Sequence, residues 1–158
     1  MKSLAFGIVL ILLLPVVAAA DTAAEFDAAL AKWHAANLKS YSFMYEWGGG
    51  VVIAPKCADA KIRVVVRNGV SSPPVVAKGN SRCLRGTRGE KSIGLSVPAT
   101  IDAAFAEMRR YIHAPPTPAR IDATYDPELG VPLTYYARKL EFEDNDEGFR
   151  ISSFKVLR

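Results

Sequence analysis

Two cysteines and the Asn-Gly pair between them constrain this chain more tightly than any other feature. Lys61 to Arg67 alternates, sending Ile62, Val64 and Val66 to one side, and a second apolar run resumes at Val70, just past Asn68-Gly69. Asn-Gly is favoured by two-residue type I′ hairpin turns because both positions need positive φ. With that turn Arg67 faces Val70 and facing residue numbers total 137, so Cys57 should face position 80. Cys83 lies three places further on. Pro73-Pro74 cannot donate to a sheet ladder, and a bulge or frayed end there takes up the offset. A Cys57–Cys83 bridge is expected, contributing about 3 kcal/mol by restricting the unfolded chain.

The first residues predict an export signal. Lys2 precedes an apolar run from Leu4 to Val17, Pro15 breaks that run near its end, and small residues close with Ala18 and Ala20. Cleavage is expected after Ala20, leaving residues 21–158 as one domain. The run falls short of the roughly 20 residues that span a bilayer, so no stable membrane insertion is expected after cleavage. No Cys stands at the expected cut, as a lipid-anchored protein would need. A periplasmic or secreted location also suits paired cysteines. The formal charge is +4, from 20 Lys and Arg against 16 Asp and Glu; losing Lys2 leaves +3, too mild to imply nucleic acid or membrane as partner.

Thr22 and Glu25 have the spacing of a capping box, which predicts a helix beginning there, carrying Phe26, Leu30 and Trp33 on one stripe and ending near Asn37. Tyr41 to Trp47 alternates with period two and predicts a strand. Gly48-Gly49-Gly50 interrupts it, and Val51-Val52-Ile53 resumes it. Val75 and Val76 continue the hairpin at a sheet edge. Thr100 caps a second helix with Ile101, Phe105, Met108 and Ile112 as its buried stripe. Ile121 to Tyr125, the turn at Asp126-Pro127-Glu128-Leu129-Gly130, and Leu133 to Lys139 read as two strands and their link. Phe149 to Leu157 is the last strand, its alternation shifted at Ser152-Ser153. The class is α+β: an antiparallel sheet of about six strands in α-β-β-β-α-β-β-β order, with two helices on one face.

These landmarks in this order, namely the helix with Trp33, Tyr41-Ser42-Phe43, a Cys before the strand ending in Arg67-Asn68-Gly69, Thr100-Ile101-Asp102 leading to Phe105, and Tyr125 to Pro132, carry a resemblance. The chain resembles the small exported bacterial proteins of the domain of unknown function six-one-seven-four family over most of its expected mature length. The resemblance implies a fold and a compartment, and no catalytic residues.

Chemical motifs fail on context. Ser152 to Lys155 has the S-x-x-K spacing of penicillin-recognising enzymes, but in a strand positions three apart should point to opposite faces, and no companion motif is present. Gly94-Leu95-Ser96-Val97-Pro98 ends in proline where a nucleophile elbow needs glycine. His34, His113, Cys57 and Cys83 lack metal-ligand spacing, and Asp144-Asn145-Asp146-Glu147 lacks the glycine and distant glutamate of a calcium loop. Gly48-Gly49-Gly50 has no following G-K-[ST] to make a phosphate loop. Tyr41, Phe43, Tyr45 and Trp47 on one strand face are read as core rather than as a ligand platform. No catalytic residue, metal or cofactor is expected.

One feature stays unabsorbed: Lys78, Arg82, Arg85, Arg88 and Lys91 in a polar stretch from Lys78 to Val97, without the aromatic residues that grip single-stranded nucleic acid. It is read as a binding loop for an anionic envelope component or protein, or else as a loop docked on the acidic link from Glu141 to Glu147. The leading expectation is therefore a non-enzymatic binding module, and the alternative a small cell-envelope hydrolase with a site assembled from distant residues. A concave pocket joining His or Ser to a carboxylate would favour the enzyme; a flat charged face or free sheet edge would favour binding.

Overall fold

In the computed structural model, residues 18–48, 57, 59–79, 83, 97–113, 119–139 and 147–158 are described. Helix α1 spans Ala18–Ala36 and helix α2 spans Ile101–Ile112. The strands are β1 (Tyr41–Trp47), β2 (Lys61–Arg67), β3 (Val70–Ser71), β4 (Val75–Lys78), β5 (Ala119–Tyr125), β6 (Pro132–Lys139) and β7 (Glu147–Val156). Every ladder is antiparallel, in the order β3-β2-β1-β7-β6-β5, with β4 also pairing β2. The expected class and element order hold. The strand count rises from about six to seven because Pro73-Pro74 splits the returning arm of the first hairpin into β3 and β4. Val51-Val52-Ile53 lies outside the described residues.

That hairpin turns as its sequence requires. Asn68 and Gly69 both have positive φ, 51° and 79°, and Arg67 pairs with Val70. Its tip is tied to the chain between α1 and β1, where Gly69 N–H donates to the Lys39 carbonyl and Asn68 N–H to Ser40 Oγ. Paired numbers then drift from 137 at Arg67–Val70 to 138 at Ile62–Val76 and 139 at Lys61–Lys78. Two of the three places that separate Cys83 from its simple register partner are thus absorbed inside the ladder. The Cys57–Cys83 disulfide forms, with Cα atoms 5.5 Å apart, and both sulfurs are buried against Ala60.

Helix α1 begins earlier than its predicted cap. It starts at Ala18, which puts Thr22 inside the helix rather than at its N-cap. Ala18, Ala19 and Ala20 are the strongest helix formers, and no breaker separates them from Thr22. The other end matches: Asn37 takes φ 47° just past the last helical residue. Helix α2 is capped as expected, with Thr100 Oγ1 accepting from Ala103 N–H at 3.1 Å. Its neighbouring N–H, that of Ile101, donates to the buried Tyr41 hydroxyl, which ties the helix start to β1.

Both helices lie on one face of the sheet, and the core fills the space between. Phe26, Ile62, Val64, Val66, Ile101, Met108, Tyr135 and Phe149 are wholly buried. Phe26 meets Phe105 edge to face at 5.5 Å, and Trp33 meets Tyr41 likewise at 5.2 Å. On α2 the stripe is wider than predicted, because Ala104 and Tyr111 join it while Ile112 is only partly covered. In β7 the predicted shift is a bulge at Ser153, whose φ is 52°: Ser42 pairs with Lys155 but Met44 with Ser152. The extra residue keeps Phe149, Ile151 and Phe154 on the core side, so Phe154 stacks on Tyr41 at 5.6 Å.

The turn after β5 is moulded onto α1. Asp126 Oδ1 accepts from the N–H groups of Glu128 and Leu129, and Pro127 O accepts from Lys32 Nζ. Gly130, at φ 74°, passes so close to α1 that a Cβ there would sit 2.1 Å from the Ala29 carbonyl oxygen. Glycine is required on both counts.

Candidate functional site

Strand alternation that buries aromatic and branched residues under the helices sends the other half of each strand to the opposite, helix-free face. The ladder registers assemble that face from distant parts of the sequence. One row runs Val65, Ser42, Lys155; the next Arg63, Met44, Ser152; the next Lys61, Glu46, Arg150. Arg67 extends it on β2, Arg138 on β6 and Arg120 on β5. Against these cations stand Glu46 and Asp122. Glu46 Oε1 is committed to Lys61 Nζ at 3.0 Å and to the Ser152 hydroxyl at 3.2 Å, and Asp122 lies 3.6 Å from Arg120 Nε. Arg63, Arg67, Arg138, Arg150 and Lys155 are exposed and make no ion pair among the described residues.

Three of those free cations surround a hollow. Arg63, Arg67 and Lys155 line a cavity of about 430 Å³ with Met44, Val65 and Leu157 as its apolar lining and Ser42 and Ser153 as hydroxyl donors. Ser42 and the bulged Ser153 both border the hollow. Chemically it offers positive charge above an apolar floor, an arrangement suited to an anion carried on a flat or apolar body. Among the described residues no carboxylate lines it.

Of the sequence-predicted binding residues, Lys78 is exposed at the end of β4, directly opposite Lys61, so it borders this face. Arg82, Arg85, Arg88 and Lys91 lie outside the described residues, as do residues 141–146 of the acidic link. Between Gly79 and Val97 the described residue is the loop's anchor, Cys83. The structure therefore adds Arg63, Arg67 and Lys155, which sequence reasoning left unassigned on two separate strands. Their signal was the alternation itself.

A second cluster sits under α2. Burial, reinforced by the charge of Glu147, raises the Glu107 carboxyl above its usual range, with Arg110 opposing. The Tyr111 hydroxyl donates to Glu147 Oε2. Tyr45 and Tyr135 are fully buried beside them, and desolvation pushes both phenols well above 10. The Tyr135 hydroxyl has no hydrogen-bond partner among the described residues.

The remaining motifs resolve as follows. The bulge places Ser152 and Lys155 on the same, outer face, correcting the expectation of opposite faces; Ser152 is nonetheless engaged by Glu46. Gly48 and Gly148 lie beneath the Tyr136 ring, which approaches a Cβ position on Gly48 to 2.7 Å, so the described glycine of the triplet seats an aromatic ring. His34 faces Asp102 and His113 faces Asp27, both at 3.3 Å, across the two helices. Tyr41, Phe43 and Tyr45 are core and Trp47 packs against it. Among the described residues no group of three or more His, Cys, Asp or Glu could hold a metal ion. Gly94 to Ser96 lies outside them.

Fold and face together define a small α+β protein: among the described residues, a seven-stranded antiparallel sheet covered by two helices on one side and presenting a basic face on the other. The family model described as a family of unknown function (DUF6174) matches residues 25–156, and the chain belongs to that family. No curated protein and no solved structure matches the chain.

Proposed function

We propose that the protein is an exported, non-enzymatic binding module whose helix-free sheet face receives an acidic polysaccharide of the cell envelope. The observation that carries this reading is the hollow in which Arg63, Arg67 and Lys155, none ion-paired among the described residues, surround an apolar floor. Carboxylate or phosphate groups on a sugar chain would meet the guanidinium forks, and the apolar face of a sugar ring would rest on Met44 and Val65. Arg63 and Arg67 are four residues apart on one strand, about 13 Å, a span suited to successive charged groups on an extended polymer. Lys78, opposite Lys61, would lead from the face into the basic stretch reaching Lys91.

Calorimetric titration with an acidic polysaccharide tests this, with a neutral polysaccharide and vesicles of anionic lipid as the other arms. The acidic polymer alone is expected to bind, with affinity falling as salt rises. Combined replacement of Arg63, Arg67 and Lys155 by Ala should weaken binding about tenfold or more, since each exposed charge contact is worth up to about 1 kcal/mol. Replacement of Arg82, Arg85 and Arg88 by Ala should weaken it further without lowering the melting temperature. Binding indifferent to the first triple replacement would remove the face from the account; preferential binding to vesicles would make it a lipid surface. Export is tested separately, by whether protein recovered outside the cytoplasm begins at Asp21.

A further inference from the structure

The two edges of the sheet are not built alike. On one side β2 is flanked by β3, two residues long, and β4, four residues long, with Pro73-Pro74 between them, so that edge is short, interrupted and poor in donors. On the other side β5 pairs with β6 in unbroken register from Ala119 to Thr124 and, among the described residues, has no strand on its outer side. It contains no proline, and its register shift comes only at Tyr125. Protected edges are usually short, bulged, proline-bearing or lysine-rich; β5 as far as Thr124 is none of these and carries one charge of each sign, Arg120 and Asp122, two places apart and both exposed.

The charges select a register. Two copies of β5 laid antiparallel about a two-fold axis keep both faces and hydrogen-bonding directions aligned only when paired numbers total an even value. A total of 240 sets Arg120 against Arg120, and 244 sets Asp122 against Asp122. A total of 246 sets Arg120 against Asp126, whose carboxylate is already held by the Glu128 and Leu129 N–H groups. A total of 242 sets Arg120 of each copy against Asp122 of the other, twice over, with Ile121 facing Ile121 and Ala119 facing Ala123. Within one chain Arg120 faces Arg138 across the β5-β6 ladder and has its own Asp122 at 3.6 Å, one acid against two bases, so a second acid across the open edge would complete the balance. Room exists on the helix side as well: a cavity of about 320 Å³ between Ala28 and Ala29 of α1 and Ala123 of β5 adjoins the edge.

We propose that β5 is a homodimerisation edge, joining two copies of this chain into one continuous sheet through reciprocal Arg120–Asp122 pairs. Strand-to-strand contact alone buries a modest area, so association is weak and concentration-dependent. The helix-free faces of both copies then lie side by side, doubling the length of basic surface. The dimer stands or falls independently of what that surface binds.

Sedimentation equilibrium of the full chain, at concentrations up to hundreds of micromolar, tests the proposal. The unaltered chain is expected to dimerise. Arg120→Asp alone and Asp122→Arg alone should each weaken dimerisation about tenfold or more, because each sets like charges opposite one another twice. Mixing the two variants should restore association as a heterodimer, since each then supplies what the other lacks. Both residues are exposed, and the melting temperature of each variant confirms that it is folded. A chain that stays monomeric throughout, single variants that dimerise as the unaltered chain does, or a mixture that fails to associate would each overturn the proposal.

Discussion

Asp102 Oδ1 lies 3.3 Å from the indole Nε1 of Trp33, and the same oxygen lies 3.3 Å from His34 Nε2. One carboxylate in the first turn of α2 therefore grips two consecutive residues near the C-terminal end of α1, while also facing the positive end of its own helix dipole. Asp102→Ala is expected to cost about 1–2 kcal/mol, most of it from the indole N–H left without its acceptor. Asp27→Ala, which removes only the solvent-exposed contact to His113, should cost less than about 1 kcal/mol. Urea denaturation of the two variants checks the difference.

Trp33 and Phe105 hold the two helices to the sheet at different points. Trp33 packs edge to face on Tyr41, and Phe105 lies parallel to Tyr125 at 6.4 Å while meeting Phe26. Either residue replaced by Ala leaves a large cavity in a closed core, and each should lower stability by about 3–5 kcal/mol. Near-unaltered melting of both variants would show that the helical faces do not cover the sheet as described.

The Cys57–Cys83 bridge spans 26 positions and encloses the first hairpin. Intact mass should be two hydrogens below that of the dithiol. Reduction, or paired replacement by Ser, should cost about 3 kcal/mol on the chain-entropy estimate. Loss should be felt first at β4, the short strand nearest the crosslink, as faster amide exchange at Val75 to Lys78.

Glu107 sets a pH dependence. Its carboxyl is raised above the ordinary value of 4.5 by burial and by Glu147, so folding favours its protonated form. The stability this contributes is present below the unfolded value and is lost as pH rises through the folded one. Glu107→Gln, neutral at every pH, should therefore be more stable than the unaltered chain near pH 7, and the advantage should vanish as pH falls below about 4. Thermal melts across that range read the crossing; an advantage that grows on acidification would contradict the assignment.

What the sequence disclosed was what neighbours in the chain decide. Asn68-Gly69 dictates its own turn, Thr100 caps its own helix, and the slipped alternation at Ser152-Ser153 marks a bulge, because each depends on a few adjacent residues. The start of α1 was misplaced because a capping box at Thr22 says where a helix can begin, not that the alanines before it will stop. The basic face was not legible. Arg63 and Lys155 share it only because β1 lies between β2 and β7, and no local pattern announces that ladder. A reading by runs found the contiguous cations from Lys78 to Lys91 instead. Glu107 was hidden for the same reason, since on a helix it resembles any solvated acid until β7 brings Glu147 beside it.

The ladder between β1 and β7 joins Tyr41 to Val156. β1 thus takes one neighbour, β2, from the strand that follows it in the chain and the other, β7, from beyond α2, β5 and β6. The first hairpin can close from local contacts, but the middle of the sheet lacks a strand until β7 docks through pairings of high sequence separation. Closure of this sheet is therefore coupled to the arrival of β7, and a chain truncated before Phe149 would leave the aromatic strand β1 without its β7 ladder.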